Sequence, residues 1–250
     1  YVYSGNAIKP TVSSVVIGST TLAENTDYSV NYEDSPTDVG IHYVTISGTG
    51  NYTGSVTSAY SITRKSISGY SPSLSQVSYN YSGEVCAPTV EISGLEEGTD
   101  FSYAYYSDSS YNTQVTKPIN IGTYYVKVTG LGNYSGTCPS TASDLSFKIE
   151  KKSVASMDLT LSEYYYDYDG TNKTPTPTLV YSYTNSAGTT VSRTLTAGTD
   201  YSIAYEDNVS VGKATITLTG MGNYKGTISE NFYVQQNISG FTMTITDSCT

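Results

Sequence analysis

Residues 48–54 read GTGNYTG, and the phrase returns as GLGNYSG at 130–136 and GMGNYKG at 220–226. A Gly-rich phrase of this kind either cradles a phosphate at a helix N-terminus or turns the chain between two strands. The flanks decide between the two. Before the first copy, Tyr43, Thr45 and Ser47 alternate with Val44 and Ile46. Before the third, Ala214, Ile216 and Leu218 alternate with Thr215, Thr217 and Thr219. Period-two alternation of apolar and hydroxyl side chains marks strands with one buried face. After the phrase come TSAYSI and SENFYV, which again read as strands, and only one copy carries a Lys, Lys225. With no helix behind it, the phrase reads as a turn. Its Gly residues supply positive φ and close approach, and Tyr52, Tyr134 and Tyr224 are expected to fold back over the edge of their own sandwich.

Around this phrase a longer register repeats. YVYSGNAIKPTV from residue 1, YNYSGEVCAPTV from 79 and YDYDGTNKTPTP from 166 place Pro10, Pro88 and Pro175 in step. LAENTDYSV, LEEGTDFSY and LTAGTDYSI follow at 22–30, 95–103 and 195–203. Repeats come before any other reading because they set the architecture. The second unit inserts SDSSYNTQVTKPIN and the third YSYTNSAGTTVSR, both polar and rich in turn residues, as longer hairpins or loops are. Short strands between turn signals predict an all-β chain of three tandem, small Ig-like β-sandwiches in an elongated array. The expected boundaries are 1–63 for a first repeat without its first strand, 64–150, 151–236, and an extra strand over 237–250.

Composition narrows the function. The 250 residues carry a net charge of −10 with only 14% charged residues, so nucleic acid is not an expected partner. No apolar run is long enough to span a membrane. The chain opens on Tyr1 with no leader, which reads as a mature or excised piece. The single His, His42, has no Ser-His-Asp set around it, and no paired-carboxylate cleft is evident, so no enzyme and no catalytic residue is expected. Asp27, Asp100 and Asp200 share one slot that reads as an Asx turn. Glu33, Asp34 and Asp38, with Glu206 and Asp207, are the alternative as calcium ligands, but the second repeat has Tyr106 and Ser107 there. No metal and no cofactor are therefore expected.

The stretches YSG…KPTV, then L..GTDYSV.Y, then VG.ATITLTGMGNYKGT resemble the tandem Ig-like repeats in large surface proteins of anaerobic Gram-positive bacteria. The resemblance covers nearly the whole chain. It implies an extracellular, cell-attached array used as a stalk, spacer or adhesive arm.

Candidate ligand contacts are the clustered tyrosines Tyr105, Tyr106, Tyr111 and Tyr165, whose rings suit stacking on sugars or host proteins. Cys86 and Cys138 both fall in the second repeat and are the candidate disulfide, leaving Cys249 odd. The ends of the register do not match. Leading segments at 66–78 and 153–163 precede the second and third repeats, but none precedes the first. Beyond the third, Phe241, Met243 and Ile245 alternate with Thr242, Thr244 and Thr246. Either the chain is a window on a longer array, or residues 237–250 complete the first repeat of the next subunit and build a head-to-tail homopolymer.

Overall fold

The computed structural model describes residues 1–185 and 187–245. The chain is all-β; among the described residues the one helical element is a 3-10 turn at Ala142–Asp144. No helix is long and apolar enough to cross a membrane. Two compact units are present: one holds Tyr1–Val77, Ala87–Thr116 and Thr123–Phe147, the other Ser78–Cys86, Lys117–Gly122 and the chain from Lys148 onward.

In the second unit the third repeat forms a two-sheet sandwich. One sheet orders Asp158–Leu161, Pro177–Thr184 and Thr190–Thr194; the other orders Tyr165–Asp167, Thr227–Gln235, Gly212–Gly220 and Tyr201–Glu206. Tyr165–Asp167 runs parallel to Thr227–Gln235, and the other neighbours are antiparallel. Alternation along Gly212–Gly220 buries Ala214, Ile216 and Leu218, and Leu161, Leu179 and Phe232 from the neighbouring strands are buried with them. Here the inserted residues are a hairpin, closed with Thr184 opposite Thr190.

In the first unit the second repeat pairs Phe101–Tyr106 with Gly122–Gly130 and buries Tyr124, Val126 and Val128. Its insertion is a hairpin as well, with Tyr106 opposite Gln114. Asp108 holds it: its carboxylate accepts the N–H groups of Asn112, Thr113 and Ser110, which keep that carboxyl below its ordinary range. A leading strand, Ser73–Leu74, pairs with Val90–Glu91.

The first repeat has the same antiparallel trio, Tyr28–Tyr32, Gly40–Gly48 and Ser55–Ile62. Opposite it lie only the small hairpin Val16–Ile17 and Thr20–Thr21 and irregular chain; no strand corresponds to Ser73–Leu74 or Asp158–Leu161 among the described residues.

The opening phrase is a closed turn in all three copies. The first Gly N–H meets the last Gly carbonyl at 2.9, 3.0 and 2.9 Å for Gly48, Gly130 and Gly220. A Cβ on Gly130 would lie 2.7 Å from Ser135 N, and one on Gly220 2.7 Å from Lys225 N. Both obstacles are backbone and cannot swing aside. Gly220→Ala is therefore expected to cost about 1–3 kcal/mol as an overpacking change, read as a lowered denaturation midpoint. An unchanged midpoint would contradict this close approach.

Candidate functional site

The turn does more than reverse the chain. It sits on the aspartate-closed turn of its own repeat. Asp27, Asp100 and Asp200 accept the N–H groups of Ala23, Glu96 and Thr196 through their carboxylates, at 2.9, 3.0 and 2.8 Å. Their carbonyls accept from Thr49, Leu131 and Met221 of the Gly-rich phrase. These aspartates close a turn, but by accepting from the residue four positions before them and not two positions on as the expected Asx turn would.

On its other side the turn receives the chain that leads into its repeat. In the first unit Lys65–Ser66 runs parallel to Tyr134–Ser135, with Lys65 N donating to Asn133 O and Ile67 N to Ser135 O. Asn133 Oδ1 accepts the N–H of Val39 at 2.9 Å, and its Nδ2 donates to Asp38 Oδ1. Tyr3 and Tyr70 pack edge-on against Tyr134. Burial, then Tyr70, pushes the Tyr134 phenol up to about 12.

The second unit repeats the backbone pairing of this junction and its Asn and Tyr contacts to the preceding repeat. Lys152–Ser153 runs parallel to Tyr224–Lys225, with Lys152 N donating to Asn223 O and Val154 N to Lys225 O. Ile121 N donates to Asn223 Oδ1 at 3.4 Å. Tyr81, which holds the slot of Tyr3, packs edge-on against Tyr224. Ile67 and Val154, the residues just past each linker, are fully buried. The third repeat reinforces its junction further, since Tyr181 Oη and Arg193 Nη1 both donate to Ser82 O. Tyr134 and Tyr224 therefore meet a ring of their own repeat, Tyr70 and Tyr181, and also a ring of the preceding repeat, Tyr3 and Tyr81, which the sequence reading did not anticipate. Recurrence of Asn and Tyr in every copy was the available signal, because a bare turn needs only the Gly residues.

The first repeat is the exception. Among the described residues no strand pairs with its turn, Asn51 is exposed and Tyr52 only half-buried. Above the turn an open groove of about 270 Å³ is lined by Val16, Ile17, Leu22, Tyr28, Tyr52 and Val56 among others. His42, Val44 and Ile46 are half-buried where Ala214, Ile216 and Leu218 are buried. In the slot shared by Val56 and Cys138, exposure is 62% in the first repeat and 0% in the second. Beyond the third repeat Phe241, Met243 and Ile245 are 66%, 81% and 79% exposed.

The predicted ligand tyrosines do not form one site. Tyr105 Oη donates to Pro88 O, as Tyr205 Oη does to Pro175 O and Tyr32 Oη to Pro10 O, so it is a structural clamp common to the repeats. Tyr106 and Tyr111 pack edge-on within the inserted hairpin, with Lys127 Nζ over the Tyr111 ring. Tyr165 is exposed and stacks on Tyr233 at 5.6 Å.

The expected disulfide also needs correction. Cys86 and Cys138 are both free, buried thiols. Cys86 is fixed by Pro118 O at its N–H, with its Sγ turned to Glu84 O, while Cys138 stands opposite Val128; they fall in different compact units. Burial pushes both thiols up, which keeps them protonated. Cys249 lies outside the described residues.

Among the described residues no cluster of three His, Cys, Asp or Glu side chains could hold a metal. His42 Nδ1 meets Glu33 Oε1 at 2.6 Å and Nε2 meets Asp38 O at 2.7 Å. Both partners are acceptors, so the ring donates twice, as imidazolium does. The Asp38 carbonyl, then Glu33, raises the His42 pKa above 6.5 against opposing burial. Stability from this contact is then full below the unfolded value and fades as pH rises through the raised one. An NMR titration should place the His42 midpoint above 6.5, and Glu33→Gln should lower it; a midpoint indifferent to Glu33→Gln would dismiss the ion pair.

No family model matches the chain, and no curated protein does. Among solved structures it is similar to the PcdhgB3 EC1-4 fragment, at 12% identity over 84% of this chain and 65% of that one, TM-score 0.19. It is also similar to the protocadherin GammaB4 extracellular domain, at 12% identity over 93% and 47%, TM-score 0.20. The chain spans under two thirds of each of these chains. Scores this low leave the all-β assignment resting on the strands themselves.

Proposed function

We propose that this chain is a non-catalytic, extracellular structural protein, a stalk or fibre subunit of three tandem Ig-like repeats. Copies join head to tail when residues 237–250 of one lie as the missing strand on the first repeat of the next. The observation that carries this reading is the half-covered core of His42, Val44 and Ile46, set against an exposed tail of alternating apolar residues in the same chain. Strand addition satisfies an open ladder and buries apolar surface together. Because donor and acceptor are different surfaces, the contact does not close on itself and propagates as a filament.

Sedimentation and electron microscopy of the purified chain test it. The whole chain should form linear oligomers, and the chain lacking 238–250 should stay monomeric; oligomers that survive the deletion overturn the reading. Copies carrying −10 each repel, so added salt should lengthen the oligomers by screening that repulsion. Shortening with salt would point to a contact built on charge.

A second reading, an adhesin that grips glycan or host protein, is favoured by one observation, the exposed stack of Tyr165 on Tyr233. Specific sugar binding on a glycan array, lost in Tyr165→Ala, would support it.

A further inference from the structure

We propose that the GTGNYTG turn of the first repeat is a socket for a second copy of this chain, filled by Gln236–Ile238, Val211 and Tyr168 of that copy. This deepens the head-to-tail reading above and rests on it.

Two filled sockets within the chain define what fits. Each takes a linker running parallel to the turn, a backbone N–H from Val39 or Ile121 onto the turn Asn, and a Tyr ring, Tyr3 or Tyr81, against the turn Tyr. The first repeat presents the third socket, Asn51, Tyr52 and Thr53, with no strand paired to it among the described residues. The third repeat presents the third set of plugs. Val211 holds the slot of Val39 and Ile121, Tyr168 that of Tyr3 and Tyr81, and Ile238 that of Ile67 and Val154. Where their counterparts are half-buried or buried, all three are exposed.

The tail also holds the shape of a filled linker. Phe241 N donates to Ile238 O at 3.0 Å, as Tyr70 N does to Ile67 O at 3.0 Å and Met157 N to Val154 O at 3.1 Å. Ser239 N donates to Asn237 Oδ1, as Ser68 N does to Ser66 Oγ and Ala155 N to Ser153 Oγ. A segment already turned this way loses little freedom on docking. One residue fewer separates Val234 from Ile238 than separates Ile62 from Ile67, so register is counted from the shared turn. The partners Tyr134 with Lys65 and Ser135 with Ser66 then place Tyr52 opposite Gln236 and Thr53 opposite Asn237 of the other copy.

Cross-linking in the full-length chain tests the register. Thr53→Cys and Asn237→Cys are made separately, each with Cys249→Ser, and mixed under mild oxidation. Tyr43→Cys, exposed elsewhere on the first repeat, replaces Thr53→Cys to set the background. Ser66→Cys with Ser135→Cys in one chain checks that a parallel pair of this geometry closes. The Thr53–Asn237 mixture should give a reducible dimer about tenfold faster than background, and adding Tyr168→Ala to the Asn237→Cys chain should slow it. Background rates alongside oligomers that still require residues 238–250 would overturn the socket and leave strand addition standing. Background rates with no oligomers at all would overturn both.

Discussion

Tyr224→Ala should cost about 3–5 kcal/mol, the usual range for emptying a large aromatic from a closed site, while Tyr52→Ala in dilute monomer should cost about 1 kcal/mol or less. The two residues share one slot of one phrase. Tyr224 is almost wholly buried between Tyr81 and Tyr181, and burial with the Tyr181 contact pushes its phenol up. Its loss leaves a cavity beneath Lys152–Ser153, the strand that pairs with it. Tyr52 is only half-buried. Chemical denaturation gives the comparison, and amide exchange gives its location. Val154 N–H, bonded to Lys225 O, should lose protection in Tyr224→Ala. Equal losses at Tyr224 and Tyr52 would mean the ring matters to its own repeat alone, and the junction would lose its energetic basis.

Much of this fold is legible in the sequence because strand period and turn chemistry are local. Ala214, Ile216 and Leu218 are buried in alternation with Thr215, Thr217 and Thr219 as expected, the inserted segments are hairpins, and Asp100 closes its turn through its own carboxylate. What escaped is set by partners far along the chain. Tyr134 looks like a ring for its own sandwich alone until Tyr3, from the preceding repeat, is found against it. Tyr105 looks like a ligand contact until its hydroxyl is found on Pro88 O. Cys86 and Cys138 look like partners because they share a repeat, but a disulfide needs a specific spacing of the two residues that a shared repeat does not guarantee, and both thiols are free. Burial is the least local property of all. Ile46, Val128 and Leu218 occupy one alternating pattern, and only what faces them makes the first half-exposed and the others buried.

That difference at Ile46 sets the second large effect. A peptide of residues 236–250, added to a chain ending at Gln235, should stabilise the first repeat by about 2.7 kcal/mol when its free concentration is a hundred times its Kd. The strand it imitates is known from the third repeat, where Met157 and Leu161 are buried and Asp158–Leu161 pairs with Pro177–Thr184. By shared register Phe241 takes the place of Met157, Met243 that of Leu159 and Ile245 that of Leu161. Covering these side chains and the groove beneath them together supplies about 1.5–3 kcal/mol for each large residue, before ordering costs are subtracted. The same event should change the cost of Ile46→Ala. Without peptide it should resemble a partly exposed site at about 1 kcal/mol, and with saturating peptide it should rise toward the 2–5 kcal/mol of a core isoleucine, about the cost of Ile216→Ala in the closed third repeat. Coupling between peptide and Ile46 is the decisive quantity, since a peptide bound anywhere else would leave the cost of Ile46→Ala unchanged. A scrambled peptide that stabilised as well, or a Met243→Asp peptide that did, would show that no apolar register is being read and would remove donor-strand assembly from consideration.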